Sequence, residues 1–213
     1  IVLELAGCAG VEVAAGRPAP LVRALETTPE THGPEGLGYA ELPPPIRPLS
    51  DRHAVDVILD TARERPGEIQ LVTLGPLTNL AIAVLREPRV PALLRGYTLM
   101  GGAYGVPGNT TPTNEWNVHC DPDAAQIVFR AWAAAREADP SIPRPLALGL
   151  DVTDQARILP DDVVRLADAF VRNQLHQLAI RFRRAPGLHV DGSADSAGTN
   201  RVHADSMRRD LLG

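Results

Sequence analysis

Apolar positions recur along the chain in two alternating rhythms. Ala54, Val55, Ile58, Leu59 and Ala62 follow helical spacing, with Ser50 and Asp51 as candidate caps and Pro66 and Gly67 as a stop. EIQLVTL, Glu68 to Leu74, is then an almost continuous apolar run, the pattern of a strand covered on both faces. Gly75 supplies a tight turn and Pro76 suits the first position of the helix GPLTNLAIAVL. YTLMGG repeats the strand theme and is followed by the loop GAYGVPGNTTPT. Asp121 and Pro122 mark the start of a helix whose stripe is Ala125, Val128, Phe129 and Trp132. RPLALGLDVT reads as another buried strand, ending at Asp151, and the segment from Pro160 to Arg184 as a long helix.

The first 50 residues are less periodic. VEVAAG, Val11 to Gly16, predicts a short strand, and PLVRAL a helical turn. Residues 27–45 form a Gly- and Pro-rich loop of a length usually found in functional lids or disordered segments. Strands alternating with helices predict an α/β fold, an open and mainly parallel sheet with helices on both faces, in a single domain spanning residues 1–213. In such sheets ligands bind beyond the carboxyl ends of the strands, here the segments after Leu74, Met100 and Leu150.

Composition narrows the classes. Of 213 residues, 44% are hydrophobic and 22% charged, which excludes a disordered or collagen-like chain. The net charge of −5, with basic residues that are all arginine and form no cluster long enough for a phosphate-tracking stripe, argues against a nucleic-acid partner. No apolar run reaches the roughly 18 residues of a membrane helix. Cys8 and Cys120 lie far apart without zinc spacing, which fits a reducing, cytoplasmic setting. There is no G-x-G-x-x-G or P-loop pattern at a strand-to-helix turn. The chain opens at Ile1, without a Met and inside the apolar stretch IVLELAG, so a fragment is expected.

The densest polar group is GNTTPTNEWNVHCDPDAA, Gly108 to Ala125. If N-E-W-N is extended, Glu115 and Asn117 share one face and Trp116 takes the other. Amides with a carboxylate suit the several hydroxyls of a sugar. The same residues also suit loop and capping roles. Asp121 reads more simply as a cap. Thr78 and Asn79, in the first turn after Leu74, either hold an anion or satisfy local backbone. His32 is a lid contact or a surface residue. His53, His119 and His176 have no metal spacing, and Asp151 either faces the ligand edge or starts a turn.

VTLGPLTNLA and MGG...GNTTPTNEWNVHCDPDAA, with VEVAAG, HGPEGLG and LDVT in the same order, resemble the nucleoside hydrolases, the inosine-uridine preferring N-ribohydrolases. The resemblance is spread over residues 1–155, weakens to about 180, and leaves 180–213 dissimilar. It implies hydrolysis of the N-glycosidic bond of ribonucleosides to ribose and free base, at a calcium ion held by aspartates and one carbonyl. That carbonyl matches Leu74. Asn109 and Glu115 would then contact the 5′ end of the ribose, Asn117 the 2′-hydroxyl, and Met100 would pack against the sugar. Family members are often dimers or tetramers, so a homo-oligomer is implied as well.

Two departures stand out. The family's D-x-D-P-G-x-D-D run, source of the base and most metal carboxylates, has no counterpart here, so the catalytic residues stay unassigned. The family's H-D-P pair is also missing, although His189, Asp191, Asp195, His203 and Asp205 lie in that region. The alternatives are a catalytically inactive remnant, or a sugar-binding or structural α/β module.

Overall fold

A computed structural model describes residues 1–169 apart from 9, 35, 39, 41 and 158. The chain divides into two units, Ile1–Arg157 and Ile158–Gly213. The second is described only over 159–169, where 160–169 are helical and the Asp162 carboxylate accepts from Leu159 N at 3.0 Å. His176 and the segment from His189 to Asp205 lie outside the described residues, as does most of the long helix expected from Pro160 onward.

In the first unit the element order is α1 (Val2–Leu5), α2 (Pro29–His32), α3 (Ala54–Glu64), β1 (Gln70–Thr73), α4 (Thr78–Arg86), α5 (Val90–Leu93), β2 (Gly96–Met100), α6 (Trp116–Cys120), α7 (Pro122–Ala138), β3 (Leu146–Leu148) and α8 (Leu150–Thr153). The three strands form one sheet in the order β1-β2-β3. Both pairings are parallel, Thr73 opposite Leu99 and Leu99 opposite Ala147. Helices therefore carry the chain back between successive strands, as the alternating rhythm requires.

Period two sorts the sheet into unlike faces. Tyr97 and Leu99 are buried on the face that also carries Leu71, Thr73 and Ala147. Val55 and Leu59 of α3, Leu80 and Val84 of α4, and Val128 and Trp132 of α7 complete this core. The rings of Tyr97 and Trp132 sit 4.6 Å apart, and Tyr97 O–H pairs with Thr73 Oγ1 at 3.1 Å. Burial pushes the Tyr97 phenol up to about 12. On the opposite face Val72 and Leu146 remain 52% and 57% exposed. Among the described residues the strand expected at EIQLVTL to be covered on both faces is covered on one, and β1 lies at the edge of the sheet.

Several local expectations change. VEVAAG makes one bridge, Ala14 to Ser50, instead of a strand, because the segment facing it is a loop and leaves Val11 and Val13 exposed. PLVRAL forms bends and no helical turn, and the long loop contains the short α2. His53, not Ser50 or Asp51, caps α3: its Nδ1 accepts from Val55 N at 3.2 Å, while Ser50 Oγ donates to Glu12. α4 begins at Thr78, two residues after Pro76. Phe129 is 38% exposed although its stripe partners Ala125, Val128 and Trp132 are buried. β3 stops at Leu148, and Asp151 belongs to α8 instead of ending the strand.

Candidate functional site

The carboxyl ends of β1 and β2 open onto the N-terminus of α6. N-E-W-N is not extended: α6 starts at Trp116 with Glu115 as its cap, so period-two alternation does not apply. A carboxylate at this position meets free amides of the first turn and bends the chain into a helix. Glu115 is 2% exposed. Its Oε1 accepts from Asn117 N at 2.8 Å, and its Oε2 accepts from Val118 N at 3.1 Å and from Gly102 N at 2.9 Å. One carboxylate thereby ties the cap of α6 to the end of β2.

The helical turn brings Asn117 back over the sheet edge. Its Nδ2 lies 3.2 Å from Met100 O, 3.2 Å from Met100 Sδ and 3.4 Å from Leu74 O. Asn109 Oδ1 accepts from Trp116 N at 2.9 Å, fixing the loop before the helix. Leu74 O, Met100, Asn109, Glu115 and Asn117 are thus gathered at one sheet edge, through a capped turn and not through an extended strand.

Other residues resolve into supporting roles. Asp121, fully buried, caps α7 through Ala124 N at 3.0 Å, and it also accepts from Leu21 N at 2.9 Å and Thr78 Oγ1 at 2.6 Å. Asn79 Oδ1 accepts from Arg17 N at 2.9 Å. Thr78 and Asn79 therefore satisfy protein groups. His32 is exposed. His119 Nδ1 lies 3.4 Å from Asn114 Nδ2, and its Nε2 is 3.9 Å from Glu26. Burial pushes the Cys120 thiol up, which makes it a poor nucleophile. Cys120 lines a cavity of about 220 Å3 together with Arg17, Pro20, Asn79 and Trp116.

The sequence leaves the role of one carboxylate open. Asp151 accepts from Tyr104 N at 2.8 Å and Gly105 N at 2.5 Å, at the start of the loop that leads to Asn109. These backbone bonds hold its carboxyl below the usual range. For a metal, the described residues offer Leu74 O but no group of three or more His, Cys, Asp or Glu side chains. That donor set falls short of the roughly six to eight oxygens calcium takes.

The inosine-uridine preferring nucleoside hydrolase family profile matches residues 1–196, beyond the point near 180 where the motif resemblance fades. An uncharacterised protein of Schizosaccharomyces pombe is 44% identical over 128 residues, 60% of this chain and 41% of that one. The pyrimidine-specific ribonucleoside hydrolase RihB of Escherichia coli is 38% identical over 160 residues, 75% of this chain and 47% of the relative. A plant nucleoside hydrolase superposes with a TM-score of 0.65 at 34% identity, covering 72% of this chain and 46% of that one. The purine-preferring ribonucleoside hydrolase of Gardnerella vaginalis gives 0.66 at 32% identity, covering 74% and 48%. The chain spans less than half the length of each of these relatives. With the strand-end motifs in order and the profile covering most of its length, the chain belongs to the inosine-uridine preferring nucleoside hydrolase family.

Proposed function

We propose that residues 1–213 form part of one nucleoside hydrolase-like domain and supply the ribose-holding wall for hydrolysis of the N-glycosidic bond of ribonucleosides. The observation that carries this reading is the bridge of Asn117 Nδ2 between Leu74 O and Met100 O, which sets a polar amide at the junction of two strand ends. With both Nδ2 hydrogens directed at carbonyls, Asn117 keeps its Oδ1 as the acceptor for a sugar hydroxyl. Asn117 is assigned to the 2′-hydroxyl, Asn109 and Glu115 to the 5′ end, and Met100 to the apolar side of the sugar.

Cleavage of this bond passes through an oxocarbenium-like sugar, so the site must hold the ring more tightly as it flattens and gains charge. Glu115 places negative charge at that edge. Leu74 O is the metal ligand this chain would offer; the described residues do not complete a calcium site, and no step is assigned to the ion. No catalytic base is assigned. The 213-residue chain is therefore expected to bind calcium more weakly than micromolar and to hydrolyse inosine or uridine negligibly, as calorimetry and base-release assays would read. Robust release of free base, abolished by Glu115→Ala, would contradict the assignment.

Titration with inosine and 2′-deoxyinosine tests the ribose reading. Inosine is expected to bind about tenfold tighter, the worth of one well-made hydrogen bond to the 2′-hydroxyl. Equal affinity for the two would remove Asn117 from its assigned role. A second reading, a non-catalytic sugar-binding or structural module, is favoured by Glu115, whose two oxygens each already accept from backbone amides. The unpaired Cys8 and Cys120 support a cytoplasmic setting, and a homo-oligomer is part of the same reading.

A further inference from the structure

The loop between β2 and α6 carries Asn109 and ends at Glu115, so any ribose site built on these residues depends on where that loop stands. Its far end is fixed by Asn109 Oδ1 on Trp116 N and by Thr110 N donating to Asn114 O at 3.2 Å. Its near end is held from the neighbouring strand. Gly101 N donates to Leu148 O at 3.1 Å, Leu150 N donates to Gly102 O at 2.9 Å, and the two oxygens of Asp151 then take the consecutive amides of Tyr104 and Gly105. A carboxylate accepting two adjacent amides makes charge-assisted bonds stronger than neutral ones.

Glycines make the close approach workable. A Cβ at Gly149 would lie 2.7 Å from both Gly102 O and the Tyr104 ring, and one at Gly102, where φ is +89°, would lie 2.8 Å from the same ring. A Cβ at Gly105 would stand 3.0 Å from Asp151 Oδ1. The Tyr104 ring is thereby seated on bare backbone at the ends of β2 and β3.

We propose that Asp151 is a positioning residue that clamps the β2–α6 loop so that Asn109 and Glu115 stand where the ribose needs them; the ribose part rests on the function proposed above. Geometry of this kind matters because a displacement of about 1 Å can cost about a hundredfold in catalysis. Asp151 acts through the backbone and is not assigned to the substrate.

The test compares the 213-residue chain with Asp151→Ala and Asp151→Asn by amide hydrogen exchange and inosine titration. In Asp151→Ala the amides of Tyr104, Gly105 and Trp116 are expected to exchange about tenfold faster or more, while Leu99 in the sheet centre keeps its protection. Inosine affinity falls by about tenfold. Asp151→Asn, which keeps one acceptor oxygen, restores protection at one of the first two amides. Unchanged exchange at Tyr104 and Gly105 overturns the clamp, and a uniform loss of protection that includes Leu99 reduces Asp151 to a fold residue. Faster exchange at Tyr104 and Gly105 with Trp116 protection and inosine affinity both intact overturns the positioning role. If the parent chain takes up no inosine while Trp116 is still deprotected in Asp151→Ala, the nucleoside reading fails and the control of the Asn109 contact stands.

Discussion

The hydroxyl of Thr78 donates to the carboxylate of Asp121 at 2.6 Å, joining the first turn of α4 to the cap of α7 in a fully packed setting. Asp121 also holds Ala124 N and Leu21 N, so one side chain fastens two helices and the segment before them. These helices flank the strand ends that make the candidate site.

Asp121→Ala would strand two amides and a hydroxyl without their acceptor. The expected cost is about 2–4 kcal/mol in urea unfolding, since each buried polar group left unpaired costs about 1–3 kcal/mol and some regain water. Thr78→Val, which leaves Asp121 its two amide partners, should cost about 1 kcal/mol. Equal and small effects from both would show that the junction is wetter than its burial indicates.

Glu87 gives a pH signature. The guanidinium of Arg89, with that of Arg63 behind it, pulls the Glu87 carboxyl down to about 2. A carboxyl with a depressed folded value stabilises the fold fully above its unfolded value, near 4.5, and loses that contribution as pH falls toward about 2. Thermal unfolding of Glu87→Gln against the parent should therefore differ at pH 7, with the gap narrowing below about pH 4.5 and closing only as pH falls through about 2. A gap that persists unchanged at low pH would mean that the ion pairs are not its source.

Asn117 and Glu115 should separate binding from stability. Asn117→Ala, at a half-buried side chain, is expected to weaken inosine binding about tenfold with a stability loss of about 1 kcal/mol or less. Glu115→Ala removes the cap of α6 and also strands the amide of Gly102, and should cost about 2–4 kcal/mol on top of any binding loss. Inosine titration beside urea unfolding reads both, and Asn117→Ala with undiminished affinity would argue against its assigned hydroxyl.

The tilted ring pair of Tyr97 and Trp132 should dominate the core. Trp132→Ala empties the space between β2 and α7 and is expected to cost about 3–5 kcal/mol, read as the shift in the urea midpoint. Phe129→Ala, on the exposed side of the same helix, should cost far less.

Order and type of the main elements were legible in the sequence because they follow from local periodicity. The helical spacing of Val55, Leu59 and Ala62 and the apolar run before Gly75 need no knowledge of distant contacts, and Asp121 caps α7 through an amide only three residues away. The strand-end rule likewise pointed to Leu74 and Met100. What the sequence could not decide is which distant groups meet. Asp151 finds amides 46 and 47 residues earlier, and Asp121 finds Thr78 at a separation of 43. Nor could alternation place Glu115 and Asn117: Glu115 caps a helix because the amide of Gly102 and those of the first turn converge on its carboxylate. VEVAAG shows the converse, a run with strand preference left unpaired because a strand forms only where a neighbour takes up its ladder, and that neighbour is a matter of tertiary structure.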